Sequence, residues 1–207
     1  MKLPSRFYAM VDTAGGQDPA ALARMLLEAG ARIMQLRLKE AGSRDFLATA
    51  REIAGLCRSH GAMLIVNDRA DIARLADAAG VHVGQDDLPL ADARAIMGTG
   101  SIVGVSTHSV EQARAAAAGG ADYIGFGAIY TGGLKNAAKA QGLERLRAVR
   151  GAVGLPIVAI GGITETTMPE VLAAGADAAA IITDVVRSSD IPAKVRALLA
   201  IEPPSNA

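Results

Sequence analysis

Carboxylates that directly follow apolar segments are the residues of this chain best placed to do chemistry. Asn67 and Asp68 end one apolar run, and Asp87 closes the polar run that follows the next one. If the two runs are neighbouring parallel strands, both carboxylates leave the sheet at the same edge, close enough to share a hard cation such as Mg²⁺. The alternative is that Asp68 caps the following helix and that Asp86 and Asp87 are solvated loop charges.

A second set of polar residues alternates with leucines early in the chain. Gln35, Arg37 and Lys39 are separated by Leu36 and Leu38, so in a strand the three polar side chains project to one side. A buried basic row of this kind is costly unless an anion neutralises it, and a diphosphate would do so. An edge strand with one solvated face is the second interpretation.

Eight short apolar runs alternate with segments of helical periodicity, and these elements must position the polar side chains. The predicted strands cover residues 7–11, 33–37, 63–66, 81–83, 102–105, 123–126, 156–160 and 178–182. The predicted helices cover residues 19–29, a segment starting at Ser43, 70–79, 90–97, 110–118, 143–153, 168–174 and 191–199. A phrase of Ala, Gly and Ala or Asp precedes several strands, which indicates one helix-to-strand turn used repeatedly.

This alternation predicts an α/β fold, a compact single-domain (β/α)₈ TIM barrel. We expect the barrel to occupy residues 1–201 and residues 202–207 to form a frayed C-terminal tail. A doubly wound open sheet is the alternative, and it is disfavoured because no Gly-x-Gly-x-x-Gly follows the first strand.

Composition limits the partners and the compartment of the chain. The 21 basic and 21 acidic residues cancel, so no global field attracts nucleic acid or an anionic membrane. Cys57 is the only cysteine, which excludes an intramolecular disulfide and fits a reducing cytosol. No run approaches the roughly 18 apolar residues of a membrane span. We therefore expect a soluble cytoplasmic protein, and a homo-oligomer is compatible with the sequence.

In a barrel the carboxyl ends of all strands face one mouth, where polar groups distant in sequence converge. The loops after strands seven and eight commonly hold a phosphate, and Gly161, Gly162 and Thr183 fit that role. With the basic row and the two acids opposite, the mouth would take a monophosphate and a metal-bound diphosphate. Ser106 and His108 are close in the chain, but no third member of a nucleophilic triad is evident. Ionisation of a diphosphate leaving group is the chemistry that this set favours.

Six motifs in order resemble those of the thiamine phosphate synthase family. They are residues 35–39 (QLRLK), 67–69 (NDR), 80–89 (GVHVGQDDLP), 104–108 (GVSTH), 121–127 (ADYIGFG) and 159–163 (AIGGI). The resemblance runs over nearly the whole chain. It implies Mg²⁺-dependent coupling of an aminopyrimidine (4-amino-2-methyl-5-hydroxymethylpyrimidine) diphosphate with a thiazole phosphate or its carboxylate form. The products are thiamine phosphate and diphosphate, formed by a dissociative, carbocation-like displacement.

The resemblance also implies roles for individual residues. Asp68 and Asp87 hold Mg²⁺. The pyrimidine diphosphate is held by Gln35, Arg37, Lys39, Asn67, Ser106 and Lys135, of which Arg37, Lys39, Ser106 and Lys135 are the catalytic set. The thiazole phosphate is received by Gly162, Ile182 and Thr183, with Gly132 contributing a backbone amide. The histidines are interpreted from their positions in the chain instead. His82 lies within a short strand and points either into the barrel or out toward a helix, and we expect it to have a supporting role near the pyrimidine. We expect His60 and His108 to be surface or loop residues rather than ligands.

One loop departs from the family pattern and leaves alternatives open. Where the family has Ile-Phe-Pro-Thr-x-Thr-Lys, this chain has residues 129–135, IYTGGLK, which keep Lys135 and replace both threonines. The alternatives are a divergent homologue with weak or altered acceptor activity and a phosphate-ligand binder without turnover. The thiazole tautomerase branch is disfavoured, because it lacks the paired acids and carries a catalytic histidine where this chain has Ala128.

Overall fold

The strands form a closed parallel barrel. The structure is a computed structural model that describes residues 2–13, 15–131 and 140–202. Eight strands pair in chain order, and β8 (Ala178–Ile181) closes the barrel on β1 (Phe7–Asp12). The closure confirms the predicted (β/α)₈ barrel and excludes the open sheet.

The remaining elements follow the predicted alternation. The other strands are β2 (Ile33–Arg37), β3 (Met63–Asn67), β4 (Gly80–Val83), β5 (Ile102–Thr107), β6 (Tyr123–Gly127) and β7 (Ile157–Ile160). The helices within the described ranges are α1 (Pro19–Glu28), α2 (Ser43–Ser59), α3 (Ala70–Leu75), α4 (Leu90–Met97), α5 (Val110–Ala118), α6 (Gly142–Ala152), α7 (Met168–Ala173), α8 (Thr183–Val186) and α9 (Ile191–Leu199). No helix in the described part of the chain has the length and apolar character needed to cross a membrane.

Local sequence signals explain where the helices start. The Asp18 carboxylate accepts a hydrogen bond from the Ala21 amide at 2.8 Å, and Pro19 occupies the first helical position of α1. The Asp190 carboxylate caps α9 in the same way. Such caps satisfy amides that have no partner within the helix.

Helix α3 is shorter than predicted. It ends at Leu75 rather than at residue 79, because Asp77 takes a left-handed conformation with φ 54° and turns the chain toward β4. Leu75 lies at helical spacing from the buried Ile72, but it is 58% exposed and does not pack against the sheet.

Period-two alternation along the strands divides the apolar side chains into two layers. One layer lies between the sheet and the helices and includes Met34, Leu36 and Cys57. The other fills the interior of the barrel and is made of Tyr8, Met10, Ile33, Ile65, Tyr123, Val158, Ala178 and Ala180. Side chains above this inner layer therefore point into the mouth.

The opposite, N-terminal face of the barrel repeats one hydrogen-bonded unit. The Asp122 carboxylate accepts from the Val103 amide at 2.8 Å and pairs with Arg94 of α4 at 2.5 Å. One quarter turn further round, the Asp177 carboxylate accepts from the Ile157 amide at 2.8 Å and pairs with Arg150 of α6 at 3.0 Å. The sequence Gly-Ala-Asp occurs before β6 and β8, and its aspartate forms this unit in both places.

Candidate active site

Gln35 and Arg37 of β2 lie on the inner side of the barrel, as the alternation predicts, and Lys39 follows the end of the strand. Gln35 is buried and donates to the Tyr8 hydroxyl at 3.1 Å inside the barrel. Arg37, one pleat higher, is half-buried and lies 3.9 Å from the carboxylate of Asp12. Lys39 is exposed and close enough to Asp68 to influence its charge. Because β2 pairs with a strand on each side, the edge-strand interpretation is wrong.

Asp12 is a charged residue of the mouth that the sequence analysis missed. It is the last residue of β1, lies in register with Arg37, and is only 4% exposed. The signal was available in the sequence, since Asp12 follows Tyr8 and Met10 at the same period of two. Asp12 sits beside the guanidinium that the diphosphate would need.

The two predicted metal ligands meet at the mouth. Asp68 follows β3 in a left-handed conformation with φ 63°, and its amide donates to the His82 carbonyl at 2.8 Å. Because β3 and β4 are neighbouring strands, the Asp87 carboxyl lies near that of Asp68, close enough to raise its pKa. Asp87 is fixed in turn by the Gly84 amide, which donates to its Oδ2 atom at 2.7 Å. The N-cap of α3 is Arg69, with no side-chain capping bond, so the helix-cap interpretation of Asp68 is wrong.

Electrostatics at this pair favours a cation. Burial, followed by the adjacent Asp87 carboxyl, raises the pKa of Asp68 to about 6, although Lys39 and Arg37 act in the opposite direction. Two carboxyl groups in contact repel each other when both are ionised, and a divalent cation relieves that repulsion. The described residues contain no group of three or more His, Cys, Asp or Glu that could hold a metal. Mg²⁺ fits such a two-ligand site, because it commonly keeps waters and binds one or two carboxylates plus substrate phosphates.

Ser106 lies on the adjacent wall of the mouth. Its Oγ atom is 2.8 Å from Nε2 of His82, and its carbonyl accepts from Nε2 of Gln85 at 2.6 Å. His82 points into the barrel and is 8% exposed, which settles the orientation that the sequence left open. Burial lowers the pKa of His82 to about 4, so its imidazole is neutral at pH 7. Asn67 lies in register with His82 on the neighbouring strand.

Two tyrosines beneath the mouth were also missed by the sequence analysis. The hydroxyls of Tyr8 and Tyr123 are 2.9 Å apart, and that of Tyr123 is 2.9 Å from Nδ1 of His82. Burial raises the pKa of Tyr8 to about 12 and that of Tyr123 well above its usual value, so both phenols keep their hydrogens. Gly104 provides the space for this group, since a Cβ there would lie 2.2 Å from the Tyr123 ring and 2.6 Å from the His82 ring.

The predicted phosphate side of the mouth is formed by the ends of β7 and β8. Gly161 and Gly162 have φ of 98° and 66°, and a Cβ on either would lie under 3.0 Å from Ala128 or Tyr130. Ile182 and Thr183 follow β8 directly and lie at the start of α8. The two loops are joined by Lys194 of α9, whose Nζ atom lies 2.8 Å from Glu165 and 3.4 Å from Asp184.

Some predicted residues fall elsewhere. Gly132 and Lys135 lie outside the described residues. His108 is exposed and its Nδ1 atom is 2.7 Å from the Gly127 carbonyl oxygen, while His60 ends α2 with Nδ1 2.9 Å from the Leu56 carbonyl oxygen. His108 is an exposed loop residue, as predicted, whereas His60 is half-buried at the C-terminal end of α2.

Known proteins resemble this chain over most of its length. A family model described as thiamine monophosphate synthase matches residues 7–185. The chain is 47% identical to a thiamine-phosphate synthase of Methanospirillum hungatei over 88% of this chain and 89% of that protein. It is 44% identical to a thiamine-phosphate synthase of Moorella thermoacetica over 92% of each chain. A solved thiamine phosphate pyrophosphorylase from Pyrococcus furiosus superimposes with a TM-score of 0.86 and 33% identity, covering 93% of both chains.

Proposed function

The chain belongs to the thiamine monophosphate synthase family, and on that premise we propose that it joins an aminopyrimidine diphosphate to a thiazole phosphate, releasing diphosphate. One observation carries the proposal above all. The carboxyls of Asp68 and Asp87 follow neighbouring strands and lie near each other, Arg37 and Lys39 at the mouth, so the proposed cation site lies beside two cations that suit phosphate oxygens. This arrangement suits a substrate that brings a diphosphate to the metal.

The residues of the mouth act on the leaving group. Asp68 and Asp87 would hold Mg²⁺, which would supply charge neutralisation for the diphosphate. Arg37 and Lys39 stabilise the negative charge that grows on the bridging oxygen as the carbon–oxygen bond breaks. The electron pair leaves with the diphosphate, and the thiazole nitrogen then donates its lone pair to the pyrimidine methylene carbon. No protein nucleophile is needed in this displacement.

The other side of the mouth positions the acceptor. Gly162, Ile182 and Thr183 receive the thiazole phosphate, while Gln35, Asn67 and Ser106 hold the pyrimidine. We retain Gly132 and Lys135 as proposed contacts from the loop between β6 and α6. Holding both reactants in one mouth converts the second step into an intramolecular one, which lowers its barrier by several kcal/mol.

A diphosphate-release assay tests this function. Purified protein with Mg²⁺ should release diphosphate only when the aminopyrimidine diphosphate and the thiazole phosphate are both present. Thiamine phosphate should form in equal amount. Release with the pyrimidine substrate alone would indicate an altered acceptor, and binding of that substrate without release would indicate a phosphate-ligand binder.

We also infer a cytoplasmic location and small-molecule partners only. The lone cysteine, Cys57, is a free buried thiol on the inner face of α2, as suits a reducing compartment. The balanced charge of the chain supports neither nucleic-acid nor membrane binding. A homo-oligomer stays a prediction.

A further inference from the structure

Five polar side chains form one continuous hydrogen-bonded line across the interior of the barrel, ending at the mouth. The line starts at Gln35 on β2, passes through Tyr8 on β1 at 3.1 Å and reaches Tyr123 on β6 at 2.9 Å. It continues to His82 on β4 at 2.9 Å and ends at Ser106 on β5 at 2.8 Å. We propose that this polar line fixes the Ser106 hydroxyl as a donor toward the substrate, with three positioning residues: Tyr8, Tyr123 and His82.

The direction of the line follows from counting hydrogens. Nε2 of Gln35 can only donate, so the Tyr8 oxygen accepts and Tyr8 gives its single hydrogen to the Tyr123 oxygen. Tyr123 then has one hydrogen left. The Gln35 amide also lies near the Tyr123 hydroxyl but acts on it as a donor, so this hydrogen goes to Nδ1 of His82. That nitrogen must accept, so the proton of the neutral imidazole lies on Nε2 and is donated to Ser106.

The opposite direction leaves a buried donor without an acceptor. If Nδ1 of His82 carried the proton, Tyr123 would turn its hydrogen toward Tyr8. The hydrogen of Tyr8 would then face the amide nitrogen of Gln35, which cannot accept it. Tyr8 is 2% exposed and Tyr123 is fully buried, so water cannot repair the loss. The first direction gives every hydrogen of the two buried tyrosines and of His82 an acceptor, and it leaves unused only the hydroxyl hydrogen of the half-buried Ser106 at the mouth.

The consequence at the mouth concerns a single hydrogen. Because His82 donates to the Ser106 oxygen, the hydroxyl hydrogen of Ser106 is not used within the line and is available to an acceptor atom of the substrate. In the reverse direction Ser106 would donate the same hydrogen to Nε2 of His82. The role given to Ser106 as a substrate contact rests on the proposed function, whereas the direction of the line does not.

The tautomer of His82 tests the direction without substrate or turnover. Long-range ¹H–¹⁵N correlation spectra of the ¹⁵N-labelled protein at pH 7 resolve the ring nitrogens of its three histidines, and a His82→Gln sample assigns the set that disappears. We expect protonated Nε2 and unprotonated Nδ1 for His82. A proton on Nδ1, or on both nitrogens, would overturn the proposal whether or not the protein is a synthase.

A double-mutant cycle tests the link to the substrate. Tyr123→Phe should raise KM for the aminopyrimidine diphosphate about three- to tenfold, the size of one uncharged hydrogen bond, with kcat within about twofold. In a Ser106→Ala background the same substitution should change KM by less than about twofold, because Tyr123 acts through Ser106. An unchanged effect in that background would mean that Tyr123 acts otherwise and would overturn the proposal.

Thr107→Val is the matched control. Thr107 is the next residue of β5, is fully buried, and donates to the Gly125 carbonyl at 2.9 Å on the helix-facing side of the sheet. The substitution removes a buried hydroxyl, but it should leave the His82 tautomer and KM for the aminopyrimidine diphosphate unchanged. A control variant that moved both readouts as Tyr123→Phe does would show a general packing effect and count against the polar line. If Tyr123→Phe fails to fold, the His82 tautomer of the unmodified protein still decides.

Discussion

At the scale of the residue, Asp68 lies in an unfavourable electrostatic environment, because the Asp87 carboxyl is nearby. Its backbone has a left-handed conformation, and its carboxyl lies near that of Asp87. Non-glycine residues in this region of φ are uncommon, and functional sites are where such strain is tolerated. A bound cation would relieve the repulsion between the Asp68 and Asp87 carboxylates.

The raised pKa of Asp68 predicts a pH dependence of stability in metal-free protein. The folded pKa of about 6 lies above the usual value of 3.8, so the folded protein binds this proton more tightly than the unfolded chain does. The free energy of unfolding should therefore fall as pH rises from about 4 to about 6. We expect a loss of about 1 kcal/mol, below the full shift because solvent screens a half-buried carboxyl.

Urea unfolding in chelator at a series of pH values measures this effect. Asp68→Asn removes the titrating group and serves as the control, so its profile should be flatter than that of the unmodified protein across the same window. Identical profiles would show that Asp68 does not carry a raised pKa.

Residue identity alone could predict some of these groups and not others. Asp68, Asp87, Arg37 and Lys39 stand at strand ends or alternate with leucines, and such positions can be assigned to a barrel mouth without coordinates. Tyr123 could not, because a tyrosine within an apolar strand usually belongs to the core. Its role depends on meeting Tyr8, 115 residues away in the chain.

At the scale of the element, α9 connects the two loops that we propose to hold the acceptor phosphate. Lys194 bridges Glu165, in the loop after β7, and Asp184 in α8, and the Glu165 amide also donates to the Asp184 carboxylate at 3.0 Å. The Lys194 side chain is 22% exposed, so its ion pairs are less screened than those of a surface lysine. The link therefore joins the segments that directly follow Gly162 and Thr183 in the chain.

Lys194→Met should weaken binding of the thiazole phosphate more than binding of the pyrimidine diphosphate. We expect KM for the thiazole phosphate to rise about three- to tenfold, while KM for the pyrimidine diphosphate stays within about twofold, because only the loops after β7 and β8 lose their link. Steady-state kinetics with each substrate varied in turn measures both constants. Arg196→Met removes a cation from the exposed side of the same helix and should change neither, and equal effects of the two variants would refute the link.

Element boundaries were predictable where caps and strand ends were clear. β2, α4, α5 and α9 have the predicted bounds. Helix α3 was predicted too long, because the left-handed turn at Asp77 has no strong sequence signal. A helix that ends through such a residue is not revealed by apolar spacing alone.

At the scale of the whole molecule, the two faces of the barrel do different work. The mouth brings together charged side chains from several strand ends, such as Arg37 and Asp68, whereas the charged side chains of the N-terminal face join helices to strands. Asp122 accepts from an amide of β5 and pairs with an arginine of α4, the helix before β5. Asp177 accepts from an amide of β7 and pairs with an arginine of α6, the helix before β7. Residues at this end of a barrel generally serve stability.

Asp177→Ala should therefore destabilise the protein without changing catalysis. The substitution leaves the Ile157 amide without this acceptor and removes the carboxylate that pairs with Arg150, which keeps its hydrogen bonds to the Val153 and Leu155 carbonyls. We expect a cost of about 1 to 2 kcal/mol. Urea unfolding should record the loss, and kcat and both KM values should stay within about twofold. Glu52→Ala, an exposed change within α2, should leave all of these values unchanged, and a kinetic defect in Asp177→Ala would contradict the division between the faces.

The barrel itself was the most predictable feature of the chain. Eight apolar runs separated by helical segments leave few topologies, because parallel strands need crossover helices and connections are right-handed. The sequence could not define the interior contacts between strands distant in the chain, since the tilt and stagger that create them are properties of the closed barrel.

The Mg²⁺ dependence of diphosphate release tests the central claim most directly. Initial rates with both substrates, measured over a range of Mg²⁺ concentrations, should fall to background in chelator. Asp68→Asn and Asp87→Asn should each raise the half-saturating Mg²⁺ concentration at least about tenfold, since each removes a ligand charge. Asp86→Asn, beside Asp87 in the same exposed run, should behave like the unmodified protein. Full release in chelator, or equal effects at Asp86 and Asp87, would contradict the assignment of the paired carboxylates as the magnesium site of a synthase.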